Sequence, residues 1–242
     1  MIKPTKLSII IPVYNESATV LMILEKIIAV QLLNNIQKEL IIVDDCSTDD
    51  SQQLIHHFIK ENSFVTIHFY EHIKNKGKGA SIQTGISHAT GDFLIVQDAD
   101  LEYDPNEYNV LLEPILQNEA NVVYGSRFFD GKSRKKLFFW QYIGNKSLTI
   151  LSNMVTGFKL TDMETCYKLF TIEIIQSITL TEQRFGFEPE VTAKLSRIHG
   201  VRLKEVSISY YGRDYHEGKK IGWKDAVRAI YCILKYGLFR MN

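Results

Sequence analysis

Residues 7–13, Leu-Ser-Ile-Ile-Ile-Pro-Val, are almost continuously apolar and end in the polar group Tyr14, Asn15, Glu16 and Ser17. A short apolar run without alternation predicts a strand buried on both faces. Residues 17–31 then place Val20, Ile23, Leu24, Ile27 and Ile28 at helical spacing, with Ser17 as the expected N-cap. The unit repeats along the first half of the chain. Residues 40–43 form a second apolar run leading into Asp44, Asp45, Cys46, Ser47, Thr48, Asp49 and Asp50. A helix is expected at about 50–61, a strand at 65–70 and a glycine loop at 75–79 entering a helix at about 78–89. A fourth strand at 93–97, a helix around 106–118 and a strand at 121–124 follow. Strands alternating with helices imply an α/β fold with a mostly parallel sheet covered on both faces. Ligands of such sheets bind at the carboxyl ends of the strands, so the polar clusters after the first, second and fourth strands should meet in one crevice.

The second half is less regular. Residues 133–151 are basic and aromatic with a helical pattern through Leu137, Phe138, Trp140, Ile143, Leu148 and Leu151. Residues 222–239 predict an amphipathic helix in which Trp223, Val227, Ile230, Tyr231, Leu234 and Leu238 interleave with Lys224, Arg228 and Lys235. Such a helix suits a membrane interface or a position packed on the sheet with its lysines outward.

Of 242 residues, 45% are hydrophobic and 23% charged, which fits a globular protein with a sizeable core. The formal charge of zero conceals an asymmetry. Residues 1–125 hold 8 Lys+Arg and 17 Asp+Glu, a net of −9, and residues 126–242 hold 20 and 11, a net of +9. An acidic half beside a basic one fits a metal site facing an anionic ligand or a membrane surface. Three cysteines, Cys46, Cys166 and Cys232, are scattered and odd in number, which argues for a reducing cytoplasm over a disulfide framework. No signal-peptide pattern precedes the first strand, and no apolar stretch approaches the roughly 20 residues that cross a bilayer.

The candidate chemistry starts at Asp98-Ala99-Asp100-Leu101-Glu102, directly behind the fourth strand. Continued extended backbone would put Asp98, Asp100 and Glu102 on one side of the chain. Carboxylate oxygens suit Mg²⁺ or Mn²⁺, which take their remaining ligands from water and substrate phosphates. The glycine loop brings Lys76 and Lys78 toward a helix N-terminus, an anion environment, but lacks the spacing of a Walker A loop. No G-x-G-x-x-G follows the first strand, which disfavours a dinucleotide-dependent oxidoreductase.

Taken in order, Pro12-Val13-Tyr14-Asn15-Glu16, Val43-Asp44-Asp45-Cys46-Ser47-Thr48-Asp49, Asn75-Lys76-Gly77-Lys78-Gly79, Asp98-Ala99-Asp100, Gly125-Ser126-Arg127 and Thr161-Asp162-Met163-Glu164-Thr165-Cys166-Tyr167-Lys168 resemble the family 2 glycosyltransferases. The resemblance runs from about residue 5 to about residue 225 and is nearest the dolichyl-phosphate mannose synthase and polyprenyl-phosphate sugar transferase branch. It implies the GT-A nucleotide-diphospho-sugar transferase fold, a mostly parallel mixed sheet with helices on both faces. It also implies a catalytic domain at 1–221, with a nucleotide-sugar half at 1–125 and an acceptor half at 126–221, before a C-terminal helix at 222–242.

Residue by residue, the resemblance assigns Pro12, Tyr14, Glu16, Asp45, Lys78 and Asp98 to the nucleotide. Asp98, Asp100 and Glu102 would hold the Mg²⁺ or Mn²⁺ that bridges the diphosphate. Arg127 would grip the acceptor phosphate, aided by Lys146. Asp162 and Glu164 would line the sugar pocket. Arg213, Lys219 and Lys220 would belong to a lid that closes on the diphosphate, with Asp100, Arg127 and Arg213 the residues closest to the chemistry. Three departures from the family pattern stand out: Cys46 where glycine is usual, Glu102 where glutamine is common, and Asn145 where relatives carry arginine.

The expected reaction is inverting transfer from a nucleoside diphosphate sugar, of the GDP-mannose or UDP-glucose type, to polyprenyl or dolichyl phosphate. An ionised phosphate acceptor needs no strong base. With a saccharide hydroxyl as acceptor, the alternative, Glu188 in Gly186-Phe187-Glu188-Pro189-Glu190 is the first candidate base. A non-catalytic nucleotide-sugar-binding module is the remote alternative. A cytoplasmic protein at the inner face of the membrane is expected, working with a membrane-protein partner and without nucleic acid.

Overall fold

The computed structural model describes residues 5–129, 139–212 and 223–239. One seven-stranded sheet organises them: β1 (Lys6–Val13), β2 (Gln37–Asp44), β3 (Thr66–Glu71), β4 (Phe93–Val96), β5 (Val122–Ser126), β6 (Lys168–Thr171) and β7 (Leu203–Ser207), in the order β3-β2-β1-β4-β6-β5-β7. Every pairing is parallel except those of β6, which runs antiparallel to both β4 and β5. Leu7, Ile9, Ile10 and Ile11 of β1 are all 0% exposed. Successive strand residues point to opposite faces, so both faces of the sheet are covered there. This is the physical reason for the unbroken apolar runs.

Helices α1 (Val20–Ala29), α2 (Ser51–Glu61), α3 (Lys78–His88) and α4 (Tyr108–Leu116) connect the strands of the first half. α3 packs on β1 and β2, and α4 on β5 and β7. α1 begins three residues later than the sequence predicts: the Thr19 and Val20 amides bond the Glu16 carbonyl, while the Ser17 amide bonds Asp49 Oδ2 and caps nothing. At the other end of α1, Lys38 Nζ donates to the carbonyls of Ile27 (2.9 Å), Ile28 (2.6 Å) and Val30 (2.7 Å). A β2 side chain thus caps the helix and places positive charge at the negative end of its dipole.

The second half contributes α5 (Phe139–Thr156), α6 (Ile172–Gln176), α7 (Phe187–Leu195) and α8 (Trp223–Leu238). β6, β7, α6 and α7 have no counterpart among the sequence expectations. α8 packs on α5 and α7 through Ala229, Cys232, Ile233 and Tyr236. Its opposite side exposes Val227, Ile230, Tyr231, Leu234 and Leu238, spaced as a second apolar stripe. Among the described residues no helix is long and apolar enough to cross a membrane.

Candidate active site

Parallel pairing aligns the carboxyl ends of β1, β2 and β4 side by side, and the chain segments leaving them are stitched together. The Asp45 amide donates to Val13 O (2.8 Å), the Asn15 amide to Ser47 Oγ (2.9 Å) and the Glu16 amide to Ser51 Oγ (2.9 Å). Thr48 N–H returns to Asn15 Oδ1 (2.8 Å). Pro12, Tyr14 and Glu16 therefore border the segment holding Asp44 and Asp45, with Tyr14 exposed on the rim. Cys46 has φ +63°, the left-handed region that glycine enters without steric cost.

Asp45 does not face an open pocket. Its carboxylate accepts from His72 Nδ1 (2.7 Å), the Lys76 amide (2.9 Å) and the Gly77 amide (2.6 Å). It anchors the glycine loop, residues 75–79, to the end of β2. Gly77 has φ +97°, and a Cβ there would lie 2.6 Å from Gln183 O and 2.7 Å from Arg184 Cγ. Glycine is required both for the backbone and for the close approach of residues 182–184.

The loop delivers Lys78, the first residue of α3, to the carboxylates behind β4. Lys78 Nζ lies 2.8 Å from Asp98 Oδ1, 2.9 Å from Asp98 Oδ2 and 3.5 Å from Glu188 Oε1. Burial works against the ammonium charge, yet the Asp98 carboxylate overrides it and holds the Lys78 pKa above the ordinary lysine value. Glu188, in the first turn of α7, is only 6% exposed. The chain thus gathers three sequence-predicted residues, Lys78, Asp98 and Glu188, from a loop, a strand end and a helix start. Gln97 supports them: its Nε2 donates to Asp98 O (3.0 Å) while its Oε1 accepts from Tyr108 (2.7 Å) and Tyr167 (2.6 Å).

The extended backbone expected to align Asp98, Asp100 and Glu102 is not found: β4 ends at Val96 and the chain turns from Ala99 onward. The chain turns at Leu101 (φ +64°), and the Glu102 amide bonds back to Asp100 Oδ1 (3.1 Å). The Glu102 carboxylate accepts from Tyr210 (2.9 Å) instead of continuing the row. Asp98 and Asp100 remain partly exposed on either side of buried Ala99. Their hard oxygen donors fit Mg²⁺ or Mn²⁺, and among the described residues no group of three or more His, Cys, Asp or Glu side chains forms a metal cage. A cation bound at Asp98 and Asp100 would take further ligands from water and a substrate diphosphate.

Arg127, expected on an acceptor phosphate, is paired with Asp162. Its Nε donates to Asp162 Oδ2 (2.6 Å) and its Nη2 to Asp162 Oδ1 (2.7 Å), with both side chains buried. The guanidinium also lies against the rings of Tyr210 (5.1 Å) and Phe128 (5.5 Å). Nε and Nη2 are matched to Asp162 because a carboxylate buried at 0% exposure needs such a partner. Beside it, Glu164 Oε1 is buried without a hydrogen-bond partner among the described residues. Burial, reinforced by Glu188, raises the Glu164 pKa to about 8. Lys168, fully buried, bonds the Thr165 carbonyl and lies 4.8 Å from the centre of the Tyr124 ring, and burial lowers its pKa. Lys146 is exposed on α5. Arg213, Lys219 and Lys220 lie outside the described residues.

The family model for glycosyl transferase family 2 matches residues 8–179, which span the strand ends, the glycine loop and the Asp162–Lys168 segment. The chain belongs to glycosyl transferase family 2. It is a glycosyltransferase with the GT-A architecture. Its similarity to the dodecaprenyl-phosphate galacturonate synthase of Rhizobium johnstonii is 26% identity, over 98% of this chain and 68% of that protein. A dolichyl-phosphate beta-glucosyltransferase of Trichomonas vaginalis is 28% identical, over 96% of this chain and 73% of its own length. Among solved structures, glucosyl-3-phosphoglycerate synthase from Mycobacterium tuberculosis, in complex with Mn²⁺, UDP and glucosyl-3-phosphoglycerate, superposes with a TM-score of 0.72. That match covers 98% of this chain and 82% of the other at 16% identity, a likeness of fold.

Proposed function

We propose that this glycosyltransferase moves a sugar, with inversion, from a nucleoside diphosphate sugar to a polyprenyl phosphate. The observation that carries the reading is the convergence of Lys78, Asp98 and Glu188 within 3.5 Å at the carboxyl end of the sheet. The polyprenyl-phosphate relatives support the acceptor class. Asp98 and Asp100 would hold a divalent cation, whose charge favours departure of the diphosphate. Lys78 keeps Asp98 charged and oriented, and the loop amides fix the ground on which the nucleotide rests. An acceptor phosphate oxygen forms a bond to the anomeric carbon as the bond to the diphosphate breaks, and the diphosphate leaves with the electron pair. Glu164, protonated near neutral pH, offers a hydroxyl donor and an acceptor oxygen to sugar hydroxyls.

The exposed apolar stripe of α8, flanked by Arg228 and Lys235, suits contact with an anionic membrane in which such an acceptor resides. In this reading the chain works peripherally at the cytoplasmic face. The test is transfer of radiolabelled sugar from GDP-mannose, UDP-glucose and related donors to short-chain polyprenyl phosphate or to a free saccharide. A lipid-phosphate product that tolerates Glu188→Gln supports the proposal. Product on the saccharide alone, lost in Glu188→Gln, would replace it with hydroxyl transfer.

A further inference from the structure

His72 is absent from every motif that pointed to the site, yet it bonds the end of β2 and α3 within it. It follows directly on β3 and is 8% exposed. Its amide donates to Asp44 O (2.9 Å), its Nδ1 lies 2.7 Å from Asp45 Oδ1, and its Nε2 lies 3.0 Å from Thr84 Oγ1 on α3. The carboxylate accepts only, so Nδ1 carries a proton toward Asp45. Asp45 is itself 2% exposed, and its other donors are the amides of Lys76 and Gly77. The imidazole, held at the end of β3, thus ties Asp45 to α3, and through Asp45 it reaches the glycine loop.

The consequence follows from where these bonds lead. Asp45 can hold two successive loop amides only in one rotamer, and the Nδ1–H of His72 is the side-chain donor that selects it. The loop in turn carries Lys78 to Asp98, 2.8 Å away. Loss of the imidazole would leave a nearly buried carboxylate short of a donor and free the loop to leave its mould. Burial of such a group is tolerated only while its bonds are made.

We infer that His72 is the positioning residue for the nucleotide site, fixing Asp45 and through it the 75–79 loop in the conformation that receives a nucleoside diphosphate. This rests on the proposed function, in which that loop contacts the donor.

The experiment is calorimetric titration of the full chain with UDP and GDP in Mn²⁺, for the wild type and for His72→Ala, His72→Asn and His72→Gln, with thermal unfolding of each. An asparagine amide N–H falls where Nδ1–H stands, whereas a glutamine amide reaches toward Thr84. His72→Ala should weaken the nucleotide about tenfold, the size of one charge-assisted hydrogen bond. His72→Asn should recover most of that affinity and His72→Gln should not. In transfer assays the donor KM should rise while kcat changes far less.

A purely structural histidine would lower the unfolding temperature of all three variants without separating Asn from Gln. Equal affinity in the wild type and a folded His72→Ala would overturn the inference. So would equal affinities of the Asn and Gln variants, which also decide the case should the Ala variant not fold. A wild type that binds neither nucleotide would overturn the functional proposal, and this inference with it.

Discussion

Arg127 and Asp162 form the most demanding pair in the site, and their coupling is open to measurement. Two side-chain bonds of 2.6 and 2.7 Å join them, the Arg127 amide adds a third at 3.1 Å, and side-chain exposure is 7% and 0%. Arg127→Met keeps the aliphatic stem but strands a carboxylate with no exposure, and breaking a buried pair from one side costs about 3–5 kcal/mol. For a chain of this length that loss lowers Tm by roughly 6–20 °C. Asp162→Asn turns an amide N–H or a weaker acceptor toward the fork and should cost a comparable amount. The double variant Arg127→Met/Asp162→Asn removes both charges, so its loss should fall short of the sum by about 2 kcal/mol or more. Urea denaturation of the four proteins gives the cycle. Additivity within about 0.5 kcal/mol would refute the coupling. A stable Arg127→Met with only a raised acceptor KM would return this residue to phosphate binding.

Other consequences concern the neighbouring elements. The Glu164 carboxyl keeps its proton in the folded protein up to about pH 8, whereas the unfolded chain loses it near the ordinary carboxyl pKa of about 4.3. The folded state binds the extra proton between those values, so this group makes stability fall as pH rises through that window. Glu164→Gln should therefore show a flatter Tm profile between pH 5 and 8 than the wild type; parallel profiles would contradict the assignment. Gly77→Ala, at φ +97° and against Gln183 O, should cost about 2 kcal/mol or more and weaken nucleotide binding in titration. Lys38→Met strips three carbonyls at the end of α1 of their donor and should destabilise the fold by about 2 kcal/mol in urea, with donor KM unchanged.

The first half of the chain was readable because its physics is local. Strands buried on both faces give unbroken apolar runs; α3, β1 and β3 lie within about one residue of their expected bounds, while β2 begins three residues before its apolar run because Gln37, Lys38 and Glu39 are polar. Parallel pairing alone implies that the clusters holding Asp45 and Asp98 meet; Lys78 reaches them from the glycine loop, which Asp45 anchors. β6 escaped because four residues beginning with lysine, Lys168–Thr171, resemble a surface loop; its burial comes from neighbours β4 and β5, far away in sequence. Glu102 was misaligned because a non-glycine residue, Leu101, adopts φ +64°, which no pattern of polarity signals. The Gly125-Ser126-Arg127 motif names a residue but not its partner. Asp162, 35 residues later, is visible as that partner only in the fold. His72 carries no motif; its signal was a histidine placed just after a strand and three residues before the glycine loop.

In the proposed reaction Asp98 and Asp100 would hold a divalent cation that favours departure of the diphosphate during transfer to a polyprenyl phosphate. The direct measurement is the transfer rate to polyprenyl phosphate by the wild type and Asp100→Ala, before and after chelation and with Mg²⁺ or Mn²⁺ restored. Chelation should abolish transfer, either cation should restore it, and Asp100→Ala should lose about a hundredfold or more. Undiminished transfer by Asp100→Ala, or by the chelated wild type, would contradict it.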